Sequence, residues 1–230
     1  MNIMLKVARI HVVDRITAFL LPWGVLALSF AVNITIHAMI PNSPDGGSVA
    51  GGVVALYIFL CVVGAVSVTR SLPFALTLGL SRKTYFLGTV TYVLALAAVY
   101  AAALTVLRVV ERAAGGWGVN MRFFRLPWLL DGPLAQTWAT SFVLLSLFFV
   151  YGLWLGLVHR RWGVPGMVAF VAAQVILVLG FIAITTLTDS WTGVGSFFLT
   201  LGALGVTGVL ALLVAALTAG GFNTMRRVTV

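Results

Sequence analysis

Acidic side chains are nearly missing from this chain. Five Asp and Glu stand against 14 Lys and Arg, and charged residues of both signs make up 8% of 230 positions. Soluble domains carry about 25%. The carboxylates Asp14, Asp45, Glu111, Asp131 and Asp189 include no pair spaced for acid–base work. Histidine is as scarce: His11, His37 and His159 stand apart, and no H-E-x-x-H motif or Cys/His cluster exists to hold zinc. The lone cysteine, Cys61, lies in an apolar run and cannot form an intrachain disulfide. No G-x-S-x-G elbow is present. In Gly79–Thr84 (GLSRKT), Arg82 stands where a Walker A loop needs Gly before its Lys. Catalysis and ATP binding by that device are therefore not expected of this chain, and no cofactor is. No ionisable residue falls mid-span, which weighs against a proton- or ion-coupled carrier.

What fills the chain is hydrocarbon. The hydrophobic fraction is 61% and the mean hydropathy +1.12. A soluble fold of this length cannot hide so much apolar surface, so its solvent is expected to be lipid. The net charge of +9 suits cytoplasmic loops facing anionic lipid. No stretch has the basic–aromatic pattern of a nucleic-acid surface.

The apolar runs predict one all-α integral membrane domain over residues 1–230, with six transmembrane helices. Their expected positions are about Ile16–Met39, Val53–Thr69, Tyr85–Val109, Leu134–Val158, Pro165–Leu187 and Val194–Ala219. In residues 1–15, Met4, Leu5, Ala8 and Val12 recur at helical spacing among Lys6, Arg9 and His11. This predicts an N-terminal interfacial helix, the alternative being a plain charged flank. An inside N-terminus leaves outside only Arg108, Arg112, Arg122 and Arg125, all near one loop. All other cations then fall in the cytoplasm, which predicts both termini inside.

Residues 110–133 are expected to form an outer interfacial loop. Trp117, Phe123, Phe124 and Trp128 interleave there with Arg112, Arg122 and Arg125, as rings and cations do at a membrane–water boundary. Glu111, between Arg108 and Arg112, reads as part of a charge cluster at a helix end. Asn33 and His37, one turn apart, and Gln174 are candidates for a polar pathway or for helix–helix hydrogen bonds. Gly152 and Gly156, and Gly202, Gly205 and Gly208, are small-residue faces for packing within or between subunits.

The most structured loop is residues 70–84. Ser71 can cap a helix, and Pro73 suits its first turn. Leu72, Leu76 and Leu80 recur every fourth residue, with Ala75 on the same face. Gly79 can end the helix and Ser81 can cap the next span. A separate coupling helix of roughly two turns is predicted, flanked by Arg70, Arg82 and Lys83. So short a helix needs a surface to pack on, either lipid headgroups or a partner protein.

The stretch Ser67–Thr89 resembles the first cytoplasmic loop of ABC-2-type transporter permeases, especially small actinobacterial ones. Their pattern is R-x-x-P-[FY], then G-x-[ST]-R-[RK]-x-[FY]-[FY]-x-G-T. Arg70, Pro73, Phe74, Gly79, Ser81, Arg82, Lys83, Tyr85, Phe86, Gly88 and Thr89 occupy those places. His11–Asn33 is similar to the same group's first span. The resemblance implies a multi-pass permease subunit in a bacterial plasma membrane. It implies a homo- or heterodimer with a second permease copy, and a separate ATPase subunit that binds ATP and Mg. It implies export of an amphipathic or hydrophobic compound. Arg70, Ser71, Leu72, Pro73, Phe74, Leu76, Gly79, Ser81, Arg82 and Lys83 would then couple to the ATPase, and the N-terminal helix with Lys6 and Arg9 would help hold it. The family often has an outer re-entrant segment between its last two spans, whereas the longest outer loop here follows the third. A non-transporting scaffold or immunity-type protein is the alternative. A lipid-modifying enzyme would need a nucleophile or metal set that the sequence lacks.

Overall fold

The computed structural model describes residues 20–39 and 48–227, and these are almost entirely helical. Helix α1 spans Leu21–Met39. A short strand, β1 (Ser48–Val49), and a 3-10 turn, Gly51–Val53, lead into α2 (Val54–Val66). A π-helical turn, Ser67–Ser71, passes directly into α3 (Leu72–Thr77). Helix α4 is Arg82–Ala113, strand β2 is Met121–Arg122, α5 is Leu134–Leu187 and α6 is Trp191–Arg227. Five of the helical stretches are long and apolar enough to cross a membrane. In lipid no water is available to the backbone, so each crossing segment must bond its own N–H and C=O groups, and the helix does this. The expected interfacial helix at 1–15, with Lys6 and Arg9, lies outside the described residues.

Two glycines divide the longest helices. At about 80 Å if straight, α5 would far exceed a bilayer core of roughly 30 Å. Gly163 breaks it with φ 67° and ψ −161°, backbone essentially reserved for glycine. The resulting segments, 134–162 and 164–187, each exceed the ~20 residues a crossing requires. The expected linker between them shrinks to this one swivel, with Pro165 just beyond it. Gly202 (φ 65°, ψ 171°) breaks α6 in the same way, into 191–201 and 203–227. A span starting at Val194 is therefore corrected: 191–201 is a separate short helix. Nor do Gly202, Gly205 and Gly208 form a packing face among the described residues: a Cβ on Gly202 or Gly208 would meet nothing within 4 Å, and one on Gly205 would meet Leu201 of α6 itself.

Segment 134–162 is the hub, packed on α2, α4 and α6. Its G-x-x-x-G pair faces α2 of the same chain. A Cβ on Gly156 would come within 2.8 Å of the Ala65 carbonyl oxygen, and one on Gly152 would overlap the Cys61 carbonyl. Across the contact, a Cβ on Gly64 would overlap the Phe149 carbonyl. Small residues here let two backbones touch. By contrast, Val175, Ile176, Leu177 and Val178 are all exposed. Four consecutive residues cover every side of a helix, so segment 164–187 meets little of the described chain. Gln174 Oε1, accepting from the Tyr151 hydroxyl at 2.9 Å, is one tie to the hub.

The described residues depart from an all-α fold in one place. β1 and β2 pair in parallel, Ser48 with Met121 and Val49 with Arg122. This joins the segment after α1 to the one after α4.

Candidate functional site: the elbow, a cleft and the cap

The elbow is a continuation of α2, not a separate helix. Ser71 has helical φ/ψ and caps nothing with its side chain. The expected N-cap is therefore corrected: the chain never leaves helical geometry there, so no cap is needed. Instead the π turn adds a residue, and the Leu72 N–H donates to the Ser67 carbonyl. That carbonyl also accepts from the Tyr85 hydroxyl at 2.7 Å. Pro73 has no N–H to contribute to the helix ladder here. Arg160 Nη2 donates to the Thr69 carbonyl in this turn at 3.1 Å.

The end of the elbow follows local chemistry. Gly79 adopts φ 78°. Its N–H donates to Leu76 O at 3.0 Å, and the Leu80 N–H donates to Ala75 O at 3.1 Å. This is the Schellman pattern, which positive φ at glycine permits. Ser81 Oγ then accepts from the Thr84 N–H at 3.1 Å and caps α4.

The faces of α3 are sharply divided. Leu72 and Ala75 are buried with Val68, Tyr85, Phe86 and Leu157, and Leu76 and Leu80 pack against them. Arg70, Phe74 and Leu78 lie on the opposite side, four residues apart. Phe74 is 58% and Leu78 57% exposed, and Arg70, Ser81 and Lys83 are exposed with them. Arg82 is half-buried. The elbow thus presents an apolar strip bordered by cations on a base held by three helices.

Beyond the elbow, α4, segment 134–162 and segment 203–227 enclose an open cleft of about 490 Å³. Phe86, Leu94, Phe142, Val143, Val214 and Phe222 form much of its wall. Its two hydroxyls, Ser146 and Thr218, donate to carbonyls of their own helices, which leaves the surface apolar. The volume falls in the range of small-molecule sites.

At the other end, residues 110–133 form a packed cap rather than an aromatic belt. Met121 and Phe123 are fully buried and Phe124 nearly so. The Phe30 ring of α1 meets Trp117, Phe123 and Phe124 at centroid distances of 5.0, 5.3 and 6.2 Å. Of the four rings read as interfacial, Trp128 alone is exposed. Glu111 organises the turn. Its Oε2 accepts from the Phe123 and Phe124 N–H groups at 2.8 and 2.9 Å and from Trp117 Nε1 at 3.2 Å. It is a buried acceptor for backbone, not part of a surface charge cluster.

A second anchor is Asp131. Arg125 binds it in bidentate fashion through Nε at 3.0 Å and Nη2 at 2.9 Å. Buried Arg108 reaches it at 3.4 Å and also donates to Thr137 Oγ1 at 2.6 Å. The hydrogen bonds from Arg125 hold the Asp131 carboxyl below its ordinary range, and Asp131 raises the Arg125 guanidinium in return. A carboxylate depressed on folding stabilises above its unfolded pKa and loses that contribution as pH falls through the folded value. The cap should therefore hold down past pH ~4 and loosen only on further acidification. Tryptophan fluorescence against pH should show this step in the wild type and lose it in Asp131→Asn.

No family model, curated protein or solved structure matches this chain. The site is thus defined by its own geometry.

That geometry gathers the elbow residues Arg70–Lys83 and disperses the pathway candidates. Asn33 Nδ2 donates to Ser29 O, and His37 Nδ1 lies 2.8 Å from Asn33 O. Gln174 Nε2 donates to Phe170 O at 3.3 Å. All three polar side chains bond a carbonyl one turn back on their own helix, the nearest partner in a medium without water. Sequence reasoning missed Arg160, whose only signal is its place four residues beyond Gly156. It also missed the cleft, which draws on three separate helices.

Proposed function

We propose that this chain is the membrane-spanning permease subunit of an ATP-driven exporter of the ABC-2 type. In this reading six spans cross a bacterial plasma membrane, with Gly163 joining the fourth and fifth, and both termini are cytoplasmic. A second permease copy completes the pore. A separate subunit binds and hydrolyses ATP with Mg, and the cargo is amphipathic or hydrophobic.

The observation that carries this reading is the outward face of the elbow. Phe74 and Leu78 sit at its tip, bordered by Arg70 and Lys83, and the inner face is locked into the bundle. A lever must be rigid at its base and free at its tip, and this one is both. The apolar cleft behind it supports a hydrophobic cargo. The helix 191–201, bent away from 203–227, supports an outer segment between the last two spans, where the family often has one. The elbow sequence also matches the permease pattern residue by residue.

The test is purification from native membranes in mild detergent, with identification of what accompanies the chain. A Walker-motif ATPase is expected. Phe74→Asp should weaken that association by on the order of tenfold or more, as loss of an aromatic anchor does. Folding should be nearly unaffected, within about 0.5 kcal/mol, because the ring is mostly exposed. Retention of the ATPase by Phe74→Asp at wild-type level would remove the docking role.

A further inference from the structure

We infer that Arg160 is the strut that fuses the elbow, α2 and segment 134–162 into one moving body. Three contacts place it. Gly152 packs on Cys61, Gly156 on Ala65, and Arg160 bonds Thr69. Both helices advance four residues at each step, so they run in parallel and in register. The two glycines bring the backbones together, and the third step replaces a small residue with a long donor.

The Thr69 carbonyl is available for a specific reason. It lies in the π turn beside Pro73, which contributes no N–H to this stretch of helix. A guanidinium on a part-buried carbonyl makes a charge-assisted bond. The proline that shapes the elbow thus creates the socket into which a neighbouring helix plugs.

The consequence is mechanical, and it rests on reading the elbow as the partner's docking point. Segment 134–162 carries Arg160 near its end and Phe142, Val143 and Ser146 in the cleft wall. A push on the elbow then reaches the cleft wall without bending at Pro73. Arg160 is a positioning residue: it touches neither cargo nor partner in this account.

Hydrogen exchange of the full chain in lipid nanodiscs tests the strut without any partner. Arg160→Met should speed exchange of the Phe74–Leu78 amides roughly tenfold, the scale of one hydrogen bond to a charged donor. Arg160→Lys, which retains a donor, should stay close to wild type. The decisive variant is Pro73→Ala, which returns an N–H to the turn beside the Thr69 carbonyl. In that background Arg160→Met should change exchange by less than about twofold, because the pair is coupled through one carbonyl. A purely structural arginine would not be rescued by a change on another helix. Unchanged exchange in Arg160→Met, or equal acceleration in both backgrounds, would overturn the inference. Should Arg160→Met fail to fold alone, the comparison of the double variant with Pro73→Ala decides by itself. Absence of an ATPase from the native complex would sink the docking reading and leave the exchange result standing.

Discussion

Gly152→Ala is expected to break the bundle, although alanine is the smallest change available. The added Cβ would overlap the Cys61 carbonyl oxygen and lie 2.7 Å from its carbon and 2.9 Å from its Cα. These are backbone atoms in the middle of α2 and cannot rotate aside. The helices must separate, and the contact they lose is the one on which the hub rests. Overpacking of this kind costs about 3 kcal/mol, at the upper end of the usual range. Alanine's better helix propensity returns under about 1 kcal/mol. Gly208→Ala is the matched control, since its Cβ would meet nothing within 4 Å. Size-exclusion profiles in detergent and thermal unfolding should show Gly152→Ala aggregating or melting early and Gly208→Ala behaving as wild type. Equal stability of the two would mean that α2 and segment 134–162 are not in backbone contact.

Glu111→Ala is expected to undo the cap. The side chain is 1% exposed, and one of its oxygens serves two backbone N–H groups and the Trp117 indole. Removing it orphans the buried Phe123 and Phe124 N–H groups and the half-buried Trp117 indole. An orphaned buried donor costs roughly 1–3 kcal/mol, so about 3–5 kcal/mol is at stake for the group. Glu111→Gln retains a carbonyl oxygen at the same place and should lose about half as much or less. Unfolding followed by tryptophan emission should rank wild type, Gln and Ala in that order. If Ala and Gln are equivalent, it is the charge and not the acceptor that holds the turn.

These two sites mark where reading the sequence works and where it stops. The apolar runs of the helices are legible because lipid leaves so few alternatives for the backbone. Gly79 and Ser81 are legible because a helix stop and a helix start are satisfied within five residues. Ser71 misleads for the same local reason: serine before a Leu-Pro pair is good cap chemistry, but the π turn carries the helix straight through. The cap misleads because Phe123 and Phe124 look the same whether they meet lipid or Phe30, nearly a hundred residues earlier. Glu111 looks paired with its arginine neighbours, yet its partners lie 12 and 13 residues ahead. Gly202 reads as a packing residue because sequence alone does not reveal its φ. Arg160 reads as a topological charge, and only its register with Gly152 and Gly156 hints at more.

The proposed function turns on whether the exposed face of the elbow docks a soluble ATPase. Placing a photoreactive residue at position 74 and irradiating native membranes tests it most directly. One crosslinked product is expected, a cytoplasmic protein carrying a Walker A motif, that disappears when Leu78 and Lys83 are also changed. Labelling of lipid alone, or of no protein at all, would contradict it.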